Sequence, residues 1–316
     1  MKHRLLFIFP LLCLTGCLSI HIGSFCGFVP VTYERQTHLS VPMSANQTLT
    51  ARTSDGYIKV KGQPEPTCYM EATIIARAKT DERARDLANH TDIQLARRNN
   101  GLEVVVTQPN RHWGESIDIS YDMVVCQQTS LNLRSSDGNI TIENVTGDIQ
   151  SKTSDGHIHL HHVTGSLDIQ TSDGNIGAND LHTGQMTLRT SDGHIDVTRC
   201  DAGQAHIRSS DGNLHLKDVA IGSLTGVTSD GSMTVQYSPQ ASGTLYIDLK
   251  ASDGNINLTL PQDVSAQVYM HTSDGGYHLD RPMNMTQQSQ NHINGVLGDG
   301  LGKISLKTSD GSIYLQ

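Results

Sequence analysis

GSLDIQTSDGNIGANDLHT, residues 165–183, decides the fold. Leu167, Ile169 and Thr171 alternate along one side of a first strand, Ile176 and Ala178 along one side of a second, and Ser172-Asp173-Gly174 lies between them. Apolar residues at every second position mark a strand with one buried face. The Asp-Gly pair suits a turn, since Asp can bond its own backbone and Gly takes positive φ without a steric cost. The next nineteen residues fill the same slots with Met186, Leu188, Thr190, Ile195 and Val197, and the following set with Ala205, Ile207, Ser209, Leu214 and Leu216.

Working outward, Ser-Asp-Gly occurs ten times, beginning at Ser54, Ser136, Ser154, Ser172, Ser191, Ser210, Ser229, Ser252, Ser273 and Ser309. From Ser136 to Ser229 the intervals are 18, 18, 19, 19 and 19 residues, and they then lengthen to 23, 21 and 36. A fixed period of this size with two alternating segments predicts an all-β parallel solenoid, β-helix-like, of 18–19-residue coils with two strands per coil. Gly147, Gly165, Gly184, Gly203 and Gly222 recur at the expected second corner. With 29 glycines and 4% aromatic residues, the composition fits tight turns and small stacked side chains better than a large aromatic core. One coil cannot bury its apolar face alone, so stability must come from stacking.

Residues 39–128 read as an N-terminal cap containing one early coil at Thr53-Ser54-Asp55-Gly56, and residues 129–316 as the repeats. Thr80 is placed to cap a short helix over 81–89, with Asp81 and Glu82 in its first turn. Strand patterns surround it at 70–78, 92–98, 102–106 and 117–125, the middle two joined as a hairpin through Asn99-Asn100-Gly101. Such a mixed α/β cap would protect the first edge of the array.

Lys2 and Arg4 precede an apolar run from Leu5 to Leu14, so residues 1–16 read as a targeting segment. Leu14-Thr15-Gly16-Cys17 resembles the lipobox of bacterial lipoproteins, which implies cleavage before Cys17 and lipid attachment to its thiol. Residues 17–38 then serve as anchor and linker, and Leu18 after the cysteine implies the outer membrane. Losing Lys2 and Arg4 takes the formal net charge from -9 to -11, which disfavours nucleic acid as a partner. The expected contacts are the membrane through the lipid, and envelope proteins or surface glycans.

From about Leu39 onward the chain resembles the bacterial putative-adhesin family, domain of unknown function 4097. The resemblance rests on the early turn Asp55-Gly56-Tyr57-Ile58, the helix and hairpin after it, and the repeated Thr-x-x-Gly-x-Ile of the coils, as in Thr153 to Ile158. Cys126 stands after Val125 where the family commonly has Pro. The resemblance implies a β-solenoid of the cell envelope, with links to envelope stress responses.

Three groups of residues suggest chemistry. Asp137, Asp155, Asp173, Asp192, Asp211 and Asp230 should stack at one corner about 4.8 Å apart. Each neighbouring pair would repel by about 0.9 kcal/mol in water. The column reads as turn-forming residues or as a cation-binding edge. His157, His159 and His161 share an outward face and read either as solvated polar filling or as a transition-metal surface; Asn139, Asn175 and Asn213 share the slot of His157 and His194. Cys68 and Cys126 sit at comparable ends of two cap strands and could form a disulfide, while Cys200 suits a buried, free position. No His-Glu-x-x-His, Gly-x-Ser-x-Gly or Cys-x-x-Cys is present, so the sequence points to no catalytic centre and no cofactor. The expected function is a lipid-anchored, non-enzymatic binding or scaffold module. An envelope-stress accessory or sensor is the second reading and a β-helix enzyme acting on polysaccharide the third.

Overall fold

The computed structural model describes residues 30–316; the targeting segment, Cys17 and Cys26 lie outside the described residues. Seven strands and one helix build the first third: β1 (Val31–Pro42), β2 (Gln47–Arg52), β3 (Ile58–Gln63), β4 (Thr67–Ala78), α1 (Asp81–Asn89), β5 (Asp92–Arg98), β6 (Gly101–Thr107) and β7 (Ser116–Cys126). β1, β4 and β7 form an antiparallel layer, with β4 in the middle. The boundary drawn at residue 38 falls inside β1, which pairs with β4 over twelve residues from Val31↔Ala78 to Pro42↔Thr67. β1 is an edge strand whose inner positions are only half covered, so its alternation in hydrophobicity is weak where the linker was expected.

Helix α1 forms where its cap predicts, with the Thr80 hydroxyl oxygen accepting from the Arg83 N–H at 3.3 Å. It buries Ala84, Leu87 and Ala88 against β1 and β4. β2 and β3 are the early coil. Although some eighty residues separate it from the next Ser-Asp-Gly in sequence, that coil stacks directly on it: Leu49 pairs with Leu131 and Ile58 with Ile140.

From there the columns run unbroken. Ile140, Ile158, Ile176, Ile195, Leu214, Met233 and Ile256 are in parallel register, each at most 1% exposed. Leu131, Ile149, Leu167, Met186, Ala205, Leu224 and Ile247 form a second column. A third buried column, Val145, Val163, Leu181, Cys200 and Val219, arises because the inward alternation slips once per coil. The slip occurs at Asn144, His162, Asp180, Arg199 and Asp218, all left-handed with φ of 50–57°. The chain therefore bends at these residues, before the glycines expected to mark the corner. Asn and Asp tolerate this region because their short polar side chains relieve its strain.

The Ser-Asp-Gly turns also differ in cause from the expectation. None of their glycines has positive φ; they are required by close approach. A Cβ on Gly174 would lie 1.9 Å from the Gly156 carbonyl oxygen, and one on Gly212 would lie 1.8 Å from that of Gly193. The turn is closed by the buried hydroxyl just before it. Thr171 Oγ1 donates toward the carbonyls of Ser154 and Gly156, both at 3.0 Å, and accepts from the Gly174 N–H at 3.3 Å. Thr153, Thr190, Ser209, Thr228, Thr272 and Thr308 donate to the neighbouring coil in the same way. Ala251 is the exception in this slot.

At the far end the stacking order departs from the chain order. The last strands, Gly302–Lys307 and Ile313–Leu315, insert between the coil of Ser252 and that of Ser273. Strand His292–Leu297 closes this end by pairing antiparallel with Ala266–His271, and Asn284–Gln288 pairs on its outer side.

Candidate functional site

The outward-facing rows bring the cap and the coils onto one continuous surface. One row runs His38, Glu71, Asp122, Lys59, Thr141, His159, Gly177, Asp196 and His215. The next runs Ser40, Tyr69, Val124, Lys61, Glu143, His161 and Asn179. At the cap end, Tyr69 and Val124 floor a shallow groove of about 410 Å³ with Lys59, Lys61, Glu71 and Asp122 around it. Tyr57 donates to Asp122 at 2.5 Å, and that bond pushes the phenol up to about 12. A larger cleft of about 710 Å³ lies between the inserted loops 238–245 and 260–265, with Tyr237, Pro239 and Pro261 in its walls.

The three candidate histidines do not act as one group. His157 is a link in a ladder that crosses the coils: Asn139 Oδ1 accepts from the His157 N–H at 2.8 Å, and His157 Nδ1 accepts from the Asn175 N–H at 2.9 Å. Asn175, His194, Asn213 and Ser232 continue it to the Asn255 and Ser312 turns. Asn and His interchange here because each offers an acceptor at the same place. With Nδ1 accepting, the ring proton of neutral His157 sits on Nε2; a metal on Nε2 would move it to Nδ1 and oppose the Asn175 N–H. His159 leans over Gly177, where a Cβ would come within 3.0 Å of its Nδ1. His161 alone is drawn into a cluster, with His162 and Asp180. Both partners were missed by reading along one strand; the signal was the coil period, since Asp180 follows His162 by eighteen residues.

Asp137, Asp155, Asp173, Asp192, Asp211 and Asp230 do stack, and Asp55, Asp253, Asp310 and Asp274 extend the column to ten. The backbone N–H of each after Asp55 donates to the carbonyl of the neighbouring coil's Ser, at 2.9–3.0 Å. Those six carboxylates are exposed to water. Each coil offers one carboxylate to this corner.

Cys68 and Cys126 are both buried and free. The register that pairs Tyr69 with Val124 puts Cys68 opposite Val125, so Cys126 falls one residue off and its side chain leaves β7 on the other face. Burial pushes the Cys68 thiol up to about 11 and the Cys200 thiol up to about 12, Asp201 adding to the latter. Low reactivity follows for both.

At the N-terminal end, the loop 108–115 is braced from α1. Arg83 donates to both Glu115 oxygens, at 3.0 and 3.1 Å, and to the Asn110 carbonyl at 2.9 Å. Glu115 also accepts from the His112 N–H at 2.8 Å, and the Arg83 bonds, with that N–H behind them, hold its carboxyl down at about 2. The loop so fixed presents Trp113, 91% exposed. It stands beside the start of the fold, because Val31 pairs with Ala78 and Arg77 with Ser116.

These features define a parallel β-solenoid with an α/β cap, a protein whose functional groups lie on an extended outer surface and at its ends. The chain belongs to the Toastrack family, Toastrack DUF4097, which matches it over residues 19–179, 77–246 and 163–316. It is similar in fold to the crystal structure of a "putative adhesin" from Parabacteroides distasonis, at 13% identity and a TM-score of 0.52, covering 89% of this chain and 97% of that one. A "putative adhesin" from Parabacteroides merdae matches at 12% identity and a TM-score of 0.50, covering 89% and 96%. A "putative lipid binding protein" from Parabacteroides distasonis matches at 14% and 0.48, covering 89% and 97%. No curated protein matches the chain.

Proposed function

We propose that the chain is a lipid-anchored, non-enzymatic binding module of the bacterial cell envelope, tethered through Cys17 with its cap toward the membrane. The observation that carries this reading is the company Trp113 keeps. Val31 lies fourteen residues after Cys17, and the end of the fold where Val31 sits also bears a braced, 91%-exposed tryptophan. The loop is held by four hydrogen bonds of Arg83 and Glu115, so the ring is fixed in the open instead of folding back onto the protein. Tryptophan prefers the boundary between lipid and water, where its ring is covered and its N–H stays hydrated. The rest of the molecule then projects away from the bilayer as a rigid rod carrying the continuous polar face and the grooves. Structural neighbours named as adhesins agree with such a role.

Trp113 is the only tryptophan, so its fluorescence reports on this end alone. In the full lipoprotein reconstituted in vesicles of brominated phosphatidylcholine, emission should shift to the blue and be quenched. The Cys17→Ser protein should not float with vesicles. Emission that stays that of a water-exposed indole in a protein that does float would overturn the cap-down orientation; flotation of the Cys17→Ser protein would overturn the anchor.

A further inference from the structure

We propose that His161, His162 and Asp180 form a site for one divalent late transition-metal ion of the zinc class. Nδ1 of His161 and Nε2 of His162 lie 3.6 and 3.5 Å from Oδ2 of Asp180, and all three atoms are within 4.8 Å of one another. Those distances are too long for hydrogen bonds to the carboxylate. Ligands held at about 2.0–2.2 Å from a tetrahedral zinc ion stand roughly 3.3–3.5 Å apart. Both imidazole-to-carboxylate distances therefore sit close to the spacing that a shared ion sets, with no direct bond between imidazole and carboxylate to explain it, and the two imidazole nitrogens are near enough to join them.

The fold produces this grouping through its period. His162 and Asp180 occupy the same left-handed corner on successive coils, with φ of 50° and 57°, and His161 precedes one of them. Imidazole and carboxylate are the donors that suit zinc, copper or nickel better than calcium, which takes six to eight oxygens. Arg199, one coil further on, binds the same Asp180 from the other side, through Nε to Oδ1 at 2.5 Å and through a second nitrogen to Oδ2 at 2.9 Å. This hydrogen-bonded pair holds the Asp180 carboxyl below its usual range and orients it, the part that outer partners play around metal-bound carboxylates. The remaining neighbours of His161 are Asn179, whose amide nitrogen is 3.3 Å from Nδ1 and must turn aside for an ion, and Glu143, in register on the preceding coil. The fourth position is open to water, to a donor from a partner molecule, or to Glu143 should its side chain turn toward the ion. Because the ligands come from two coils, a bound ion also clips one coil to the next. The inference stands on these side chains and is independent of the anchor.

Titration of the full chain with Co²⁺ should give one tight equivalent, with the intense visible absorption of a tetrahedral centre that Zn²⁺ then abolishes. His162→Asn keeps the corner intact, since Asn144 holds the same slot one coil earlier with φ of 56°. That variant and Asp180→Asn should each weaken binding by at least about tenfold. His215→Asn, on the same outer face but two coils away, should leave it unchanged. An absence of stoichiometric binding, full affinity in His162→Asn, or an equal loss in His215→Asn would overturn the site.

Discussion

Between Ser136 and Ser229 the order of the coils in space is their order in the chain, while at both ends it is not. In the middle, every coil pairs with its sequence neighbours at a spacing of 18–19 residues. At the start, the Ser54 coil waits for a partner some eighty residues away while the cap is built between them. At the finish, the strands after Gly302 slot in between two coils that were made earlier. Stacked coils need only a matching row of inward side chains and a matching turn, so any coil with the right pattern is accepted. Which neighbour it takes depends on the length of the intervening chain and on what closes the open edge.

The largest effect that would break this comparison is deletion of residues 302–316. These fifteen residues are internal to the array, with Ile304, Leu306, Ile313 and Leu315 fully buried. Their removal should unfold the Ser273 coil and its hairpin while leaving the middle coils protected, read as loss of amide protection confined to residues beyond about 240. Uniform protection would mean that the end coils stack in chain order instead.

Next in size is the test of inward register. Leu188→Asp places a carboxylate at a fully buried position and should cost about 4 kcal/mol or more. Arg189→Asp, one residue on and outward, should change stability by less than about 1 kcal/mol, even though Arg189 now meets Asp168 at 3.2 Å. Equal melting temperatures would contradict the alternation.

A third pair sets the two corners against each other. Gly212→Ala drives a methyl group into the neighbouring backbone and should destabilise by about 3 kcal/mol. Gly184→Ala meets nothing within 4 Å at an ordinary φ and should stabilise by roughly 0.4–1 kcal/mol. Urea midpoints that move in the same direction for both would sink the close-approach account.

A smaller difference concerns the buried hydroxyls. Thr190→Val takes the hydroxyl donor from the Gly174 carbonyl and the acceptor from the Gly193 N–H, while the Ser172 carbonyl keeps its backbone donors, and should cost about 1–3 kcal/mol. Ala251→Ser supplies the hydroxyl that one slot lacks and should gain about 1 kcal/mol at most. A loss on Ala251→Ser would show that this coil is spaced differently from those in the middle.

The smallest expected effect belongs to the cap. Arg83 holds the Glu115 carboxyl down at about 2 from an ordinary 4.5, so the folded loop favours the ionised form. Its contribution is complete above about 4.5 and is lost as pH falls toward about 2. Trp113 anisotropy should therefore drop over that window before the coils melt, and Glu115→Gln should remove the transition. A pH-independent anisotropy in the parent protein would show that the loop is held by other contacts.

How far the molecule can be read from its sequence differs between these regions for a physical reason. The helix cap at Thr80, the strand faces and the Asp column follow from local periodicity, and the structure places each of them accordingly. The candidate site was legible only in part. His161 could be flagged as one of several outward histidines, whereas its partners His162 and Asp180 meet only because the corner residue of one coil lies above that of the next. The disulfide considered possible between Cys68 and Cys126 is not formed, and the reason is parity: similar positions along two strands do not say which face a side chain leaves by. The turn glycines looked like carriers of positive φ, but the need for them comes from a neighbouring backbone that no single coil contains.

What the sequence alone determined, then, is the coil: its length, its inward faces, the position of its turn and the number of times it recurs, all legible in a pattern that repeats within some nineteen residues. What only the tertiary structure decided is which coil lies on which, where the third buried column arises, and which outward groups become neighbours. Those depend on pairings between segments far apart in the chain. Their free energy appears only when two coils are brought within hydrogen-bonding distance, and no local pattern records that.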